Sequence, residues 1–169
     1  MPKAEHAGMG SIRYILQIMT PDIEVSRDVA APPAVIFAAI TDITRMGEWS
    51  PECVSAEWNE GFSAPALGAM FTGHNRNGDK EWSVEAKIVD LVDNQRFFFD
   101  CIVRDFVFSK WGYTIEATDS GCRITEYSQD LRLESSLERS TMISGVSDRA
   151  THNRAGMEAT LERIAAAIE

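Results

Sequence analysis

The side chains that could do chemistry are few and lie late in the chain. Glu126 follows Ile124 by two positions in the alternating run CRITEYSQDL, residues 122–131. Side chains two apart on a strand share a face, so an inward Ile124 brings Glu126 inward with it. A carboxylate placed there loses water, its pKa rises, and it becomes a proton donor or acceptor for general acid–base work. Tyr113 stands two residues after Trp111 in FSKWGYTIEA, residues 108–117, and faces inward by the same rule. Its hydroxyl suits a ligand carbonyl. Each residue also has a structural reading. Glu126 would pair with an arginine of a neighbouring strand or be turned outward by a bulge, and Tyr113 would bond to backbone. Structural ion pairs are the commoner reason for such carboxylates.

Other chemistries lack their motifs. There is no G-x-S-x-G, Walker loop or G-x-G-x-x-G. The histidines, His6, His74 and His152, have no metal-ligand spacing, and the cysteines, Cys53, Cys101 and Cys122, include no C-x-x-C pair. No metal and no cofactor is expected. A net charge of -10 argues against nucleic acid or an anionic membrane surface as a partner, since both need clustered cations. No apolar run reaches the roughly 20 residues of a membrane helix, and the opening MPKAEHAGMG has no signal-peptide core. Free thiols fit a reducing compartment, so the expected location is cytoplasmic.

The elements that must position Glu126 and Tyr113 follow from periodicity. Residues 23–31 alternate as a first strand, and Pro32 and Pro33 open a short helix at AVIFAAITD. Asp42 and Thr44 can cap a second helical piece that Pro51 interrupts. Strand-like runs follow at residues 55–58, 69–76, 82–91, 96–103, 108–117 and 122–131, separated by turn signals such as Asn77-Gly78-Asp79. Residues 132–147 read as a partly helical connection and a plausible lid. Residues 147–168 form a long amphipathic helix with Asn153, Met157, Leu161, Ile164 and Ile168 on one stripe. The class is α+β, an antiparallel sheet with one apolar and one charged face, covered on one side by the last helix. Residues 1–11 read as disordered or loosely attached. Residues 12–19 read as a short helix, an extra edge strand or an arm to a second subunit, which leaves a homodimer open.

The segments IEVSRDVAAPPAVIFAAITDITRMGEWSPE, EWSVEAKIVDLVDNQRFFFD and WGYTIEATDSGCRITE resemble the START-like (Bet v1-like) superfamily called SRPBCC, in particular its actinobacterial polyketide cyclase/dehydrase-like branch. The resemblance covers residues 23–169, leaving 1–22 as an N-terminal extension outside a single ligand-binding domain. It implies a helix-grip fold: a curved antiparallel sheet of about six to seven strands around the C-terminal helix, with two short helices after the first strand and a deep apolar cavity.

In such a cavity Trp49, Trp58, Trp82 and Trp111 would combine with Phe71, Phe97, Phe99, Met142 and Met157 as an aromatic and sulfur-rich lining. Tyr113 would add its hydroxyl, and Asn153 would stand at the mouth. The competing reading is a filled core made of the same residues. His74 falls on the outward side of its strand if Phe71 points in. Beside an interaction module acting through its surface, antitoxin-like or ribosome-associated, whose ribosome version the acidic charge weakens, two functions remain in view. One is binding of a small hydrophobic molecule, lipid-like or polyketide-like, with no bond changed. The other is a polyketide cyclase or dehydratase, in which Glu126 or Tyr113 moves protons.

Overall fold

The computed structural model describes residues 13–169, Leu16 excepted. Seven strands make one sheet: β1 (Ile23–Val29), β2 (Cys53–Trp58), β3 (Met70–Asn77), β4 (Lys80–Val92), β5 (Arg96–Val103), β6 (Phe106–Thr118) and β7 (Gly121–Asp130). Their spatial order is β1-β7-β6-β5-β4-β3-β2, and every pairing is antiparallel. Strands β2 to β7 are joined in sequence, by residues 59–69 between β2 and β3 and by tight turns from β3 onward. One of them, Arg104-Asp105, has positive φ at both residues (48° and 66°), the backbone a two-residue hairpin needs to match strand twist.

β1 and β2 lie at opposite edges, and the chain crosses between them through α1 (Pro33–Thr41), a 3-10 turn at Ile43–Arg45 and α2 (Met46–Trp49). Pro33 begins α1, where a missing N–H costs nothing. Asp42 accepts the Thr44 backbone N–H at 3.2 Å and so starts the turn. After β7 come α3 (Leu137–Ser144), which ends at Gly145 in a left-handed conformation (φ 70°), and α4 (Arg149–Ile168), capped by Asp148 accepting from Thr151 N at 3.1 Å. The sheet curls as a half-barrel around α4, the helix-grip arrangement. No helix among the described residues is long and apolar enough to cross a membrane.

The main core lies on the concave face. There α4 supplies Leu161, Ile164 and Ala165 against Ile36, Ile43, Ile88, Phe97 and Ile124. Trp82, Val84, Ala86 and Ile88 do share this side of β4, while Ser83, Glu85 and Lys87 face out.

The expectation of a single covered face is corrected. On the convex face Phe98 and Tyr127 are buried together with Ile15 and Met19, and Val89 and Ile18 pack beside them. Residues 13–15 and 17–18 are helical, so of the three readings for this segment the short helix is the one observed. A second cover is needed because β5 carries aromatic residues at Phe97, Phe98 and Phe99 in succession, which makes both of its faces apolar. The expectation of disorder for residues 1–11 concerns positions outside those described.

Candidate functional site

Tyr113 on β6 and Glu126 on β7 are directly opposed in register, between the pairs Trp111↔Ser128 and Ile115↔Ile124. Both side chains enter the concave interior. The Tyr113 hydroxyl donates to Glu126 Oε1 at 2.8 Å. Glu126 is 4% exposed, and its Oε2 is buried without a hydrogen-bond partner among the described residues. None of the ion pairs among those residues includes Glu126, so the arginine-paired reading finds no support.

Burial pushes the Glu126 carboxyl up from its ordinary 4.5 to about 8, against the opposing pull of the Tyr113 hydrogen bond. Burial likewise holds the Tyr113 hydroxyl well above 10, with the neighbouring Glu126 charge adding to the rise. At neutral pH the pair is therefore a phenol and a carboxylic acid. With Oε1 accepting from Tyr113, the acid proton sits on Oε2.

Glu126 lines a cavity of about 60 Å³ with Ser50, Pro51, Glu52, Trp111, His152, Asn153, Gly156, Met157 and Thr160, while Oε2 itself is almost wholly covered. Next to it is an outer groove of about 290 Å³ lined by Pro51, Glu52, Arg76, Asn77, His152, Ala155, Gly156 and Ala159. Pro51, Glu52, His152 and Gly156 line both spaces and form the neck between them. At that neck one Arg149 nitrogen donates to both oxygens of Glu52, at 2.7 and 2.9 Å. His152 Nε2 lies 3.2 Å from Glu52 Oε1, and the Arg149 guanidinium lies over the Trp82 ring at 5.9 Å.

Of the residues expected to line a cavity, Trp111, Asn153 and Met157 line the inner chamber together with Glu126. Phe71, Phe97 and Phe99 instead fill the core, with ring centroids 5.3 Å apart for Phe71–Phe99 and 5.4 Å for Phe97–Phe99. Trp58 packs edge-on against Phe71 at 6.0 Å, and Tyr113 stacks on Phe97 at 6.4 Å. Trp49 is buried in the same core, and its Nε1 has no partner among the described residues. Phe71, Phe97 and Phe99 thus pack as core rather than line a deep aromatic cavity.

Met142 is corrected outright. It is 70% exposed, because α3 buries only Ser144 and turns its apolar side chains to solvent. The connection that carries it is tied to the β3–β4 turn by Asn77, which donates to the Ser144 carbonyl at 2.9 Å. His74 lies outside, bonded to Ser83 at 2.8 Å and Glu57 at 3.1 Å, as its strand side predicts.

Sequence reasoning missed Arg149 and His152. They stand three apart on the first turn of α4 and so face one side. Their common partner Glu52 is distant in sequence, and no local signal links them. The cysteines are buried free thiols; burial pushes Cys53 up to about 11 and Cys101 up to about 12, so neither is a nucleophile at neutral pH.

Residues 20–169 match the family described as polyketide cyclase/dehydrase and lipid transport. A search of curated proteins finds no match. Among solved structures, the chain is similar to the Polyketide_cyc-like protein Cgl2372 from Corynebacterium glutamicum, with 25% identity, 86% of this chain and 87% of that chain covered, and a TM-score of 0.53. It is also similar to the di-domain ARO/CYC StfQ from the steffimycin biosynthetic pathway (12% identity, 86% of this chain, 50% of that chain, TM-score 0.67). A third similarity is to the Aha1 dimer from Colwellia psychrerythraea (14% identity, 89% and 97% coverage, TM-score 0.61). The last two likenesses concern the fold alone. The match over residues 20–169, on a helix-grip fold, makes this chain a member of the polyketide cyclase/dehydrase and lipid transport family.

Proposed function

We propose that the protein binds a small, mostly apolar molecule whose hydrogen-bonding end enters the chamber at Glu126 and whose body lies in the outer groove. The observation that carries this reading is the Glu126 carboxyl: one oxygen is held by Tyr113 and the other is buried without a partner among the described residues. A buried polar atom without a partner costs about 1–3 kcal/mol, which a ligand group bonded to Oε2 would recover. The protonated oxygen is a donor, so the complementary group is an acceptor such as a carbonyl oxygen. The chamber, at about 60 Å³, takes only the end of a ligand. Together with the groove of about 290 Å³, the space reaches the lower end of the usual range for small-molecule sites.

A second reading, a cyclase- or dehydratase-type enzyme, is favoured by one specific observation. The carboxyl pushed up to about 8 still holds its proton at neutral pH and can deliver it to a carbonyl or a departing hydroxyl.

Native mass spectrometry against the denatured mass tests the binding reading. The expected result is a retained adduct on the order of a few hundred daltons, the size of ligand such sites hold. It should be lost in Glu126→Leu, which removes both oxygens while keeping an apolar side chain. An adduct-free wild-type protein that also takes up no small ketones would contradict it.

A further inference from the structure

Chamber and groove meet at Pro51, Glu52, His152 and Gly156, and of these only Gly156 has no side chain. It stands in the interior of α4, where glycine is the poorest helix former apart from proline. The fold supplies no reason for it. Five other glycines among the described residues have positive φ, which most side chains avoid. Gly47, Gly73 and Gly112 each lie against a neighbour that a Cβ would crowd: the Val54 carbonyl, Cys53 Sγ and the Phe98 ring. Gly156 has helical backbone instead. Beyond its own stretch of helix, a Cβ there would meet one atom within 4 Å, Pro51 Cγ at 3.7 Å, which is an ordinary contact. Alanine would fit the protein and favour the helix.

Resting on the binding reading, we propose that Gly156 determines the specificity of the site. Its bare Cα keeps the passage from groove to chamber open to a compound unbranched beside its carbonyl and closed to one branched there.

Place is the first observation. Asn153 and Thr160 line the chamber alone, Ala155 and Ala159 line the groove alone, and Gly156 lines both, so α4 passes from one space to the other at this residue. Destination is the second. The chamber is lined by Glu126, whose Oε2 is buried without a partner among the described residues, so a ligand group arriving by this route has a bond to make. Width is the third. A Cβ on Gly156 would already touch Pro51, so the gap that glycine leaves between α4 and Pro51 is about that of one methyl group. A straight chain presents one methylene at a time to such a gap, whereas a quaternary carbon presents its branches together. The backbone beside the gap is also satisfied from within the helix. Thr160 donates its hydroxyl to the Gly156 carbonyl at 2.8 Å, so neither group competes for the ligand's polar end. Glycine at this position therefore exchanges helix stability for an open route, the trade expected where function and not folding selects the residue.

The test compares two isomeric ketones, heptan-2-one and 3,3-dimethylpentan-2-one. They have the same atoms and the same acetyl end, and they differ in branching beside the carbonyl. Binding to the full chain is titrated by saturation-transfer NMR, and stability is read as the urea midpoint. Wild type should bind heptan-2-one about 10-fold or more tightly than its isomer, the usual scale for a methylene-sized misfit. Gly156→Ala should weaken heptan-2-one by a similar factor while its urea midpoint stays at or above that of wild type. Gly156→Leu should abolish binding. Wild type that binds the branched isomer as well as heptan-2-one overturns the role of Gly156 and leaves the binding reading standing. Gly156→Ala with wild-type affinity for heptan-2-one does the same. A lowered urea midpoint in Gly156→Ala also overturns it, because the fold itself would then need the glycine. Wild type that binds neither ketone overturns both readings.

Discussion

Two carboxylates are buried on opposite faces of the same sheet, and their surroundings differ in one respect. Asp90, on the convex face, accepts from the Tyr14 hydroxyl on Oδ1 at 3.0 Å and from Arg96 Nε on Oδ2 at 2.8 Å. The Arg96 guanidinium also lies 3.9 Å from the centre of the Tyr14 ring. Glu126, on the concave face, has the same tyrosine contact on one oxygen at 2.8 Å and no partner for the other among the described residues. Asp90 is a clip that fastens the N-terminal helical segment to the sheet. Glu126 is half of an interaction. Burial and a tyrosine partner do not distinguish a structural carboxylate from a functional one; the unfilled bond does.

The comparison can be broken or sharpened by substitution. The largest effect is expected at Phe98, which is 1% exposed and lies so close over Gly112 that a Cβ there would come within 2.0 Å of its ring. Phe98→Ala should cost about 3–5 kcal/mol in urea denaturation, as for a core phenylalanine; a cost near zero would mean the convex cover is not a core.

Next comes the pH response of Glu126. Its folded pKa of about 8 lies above the ordinary 4.5 of an unfolded chain, so the folded state binds the proton more tightly. Its contribution to stability is complete below pH 4.5 and is lost as the pH rises through 8, at up to about 1.4 kcal/mol per pH unit. Glu126→Gln should flatten this slope in denaturation curves taken across that window. Asp90→Ala should cost about 1–3 kcal/mol in the same denaturation experiment by leaving Arg96 and Tyr14 without their partner. Tyr113→Phe should cost about 1 kcal/mol and move the Glu126 titration higher still, because the hydrogen bond it removes favours the ionised form.

What the sequence discloses follows from how local each signal is. Strict alternation in β4 placed Trp82, Val84, Ala86 and Ile88 on the concave side, and the same period-two rule turned Glu126 and Tyr113 inward. That these two meet depends on the β6–β7 register, which pairing sets and alternation alone does not. Phe98 was hidden in a run of three phenylalanines that has no alternation to read. The break in register between Ile88 and Asp90, which puts Asp90 beside Val89 on the outer side, leaves no mark in the composition. Met142 sits on a helix too short for periodicity to assign a buried side. Glu52 meets Arg149 and His152 only because the half-barrel brings the start of α4 over the segment after α2. The openness of the interior was out of reach for the same reason: Phe71, Phe97 and Phe99 could line a cavity or fill it, and side-chain packing decides.

The central claim is that Glu126 is held as a carboxylic acid with one oxygen free. The most direct measurement is its titration in the native protein, by the infrared carboxyl band or the side-chain carbon-13 shift, with Glu126→Gln as the reference that removes the signal. A midpoint near the expected value of about 8 would support the account. A midpoint near 4.5, the ordinary value, would mean that Oε2 is solvated or paired in solution, and the site as described would not exist.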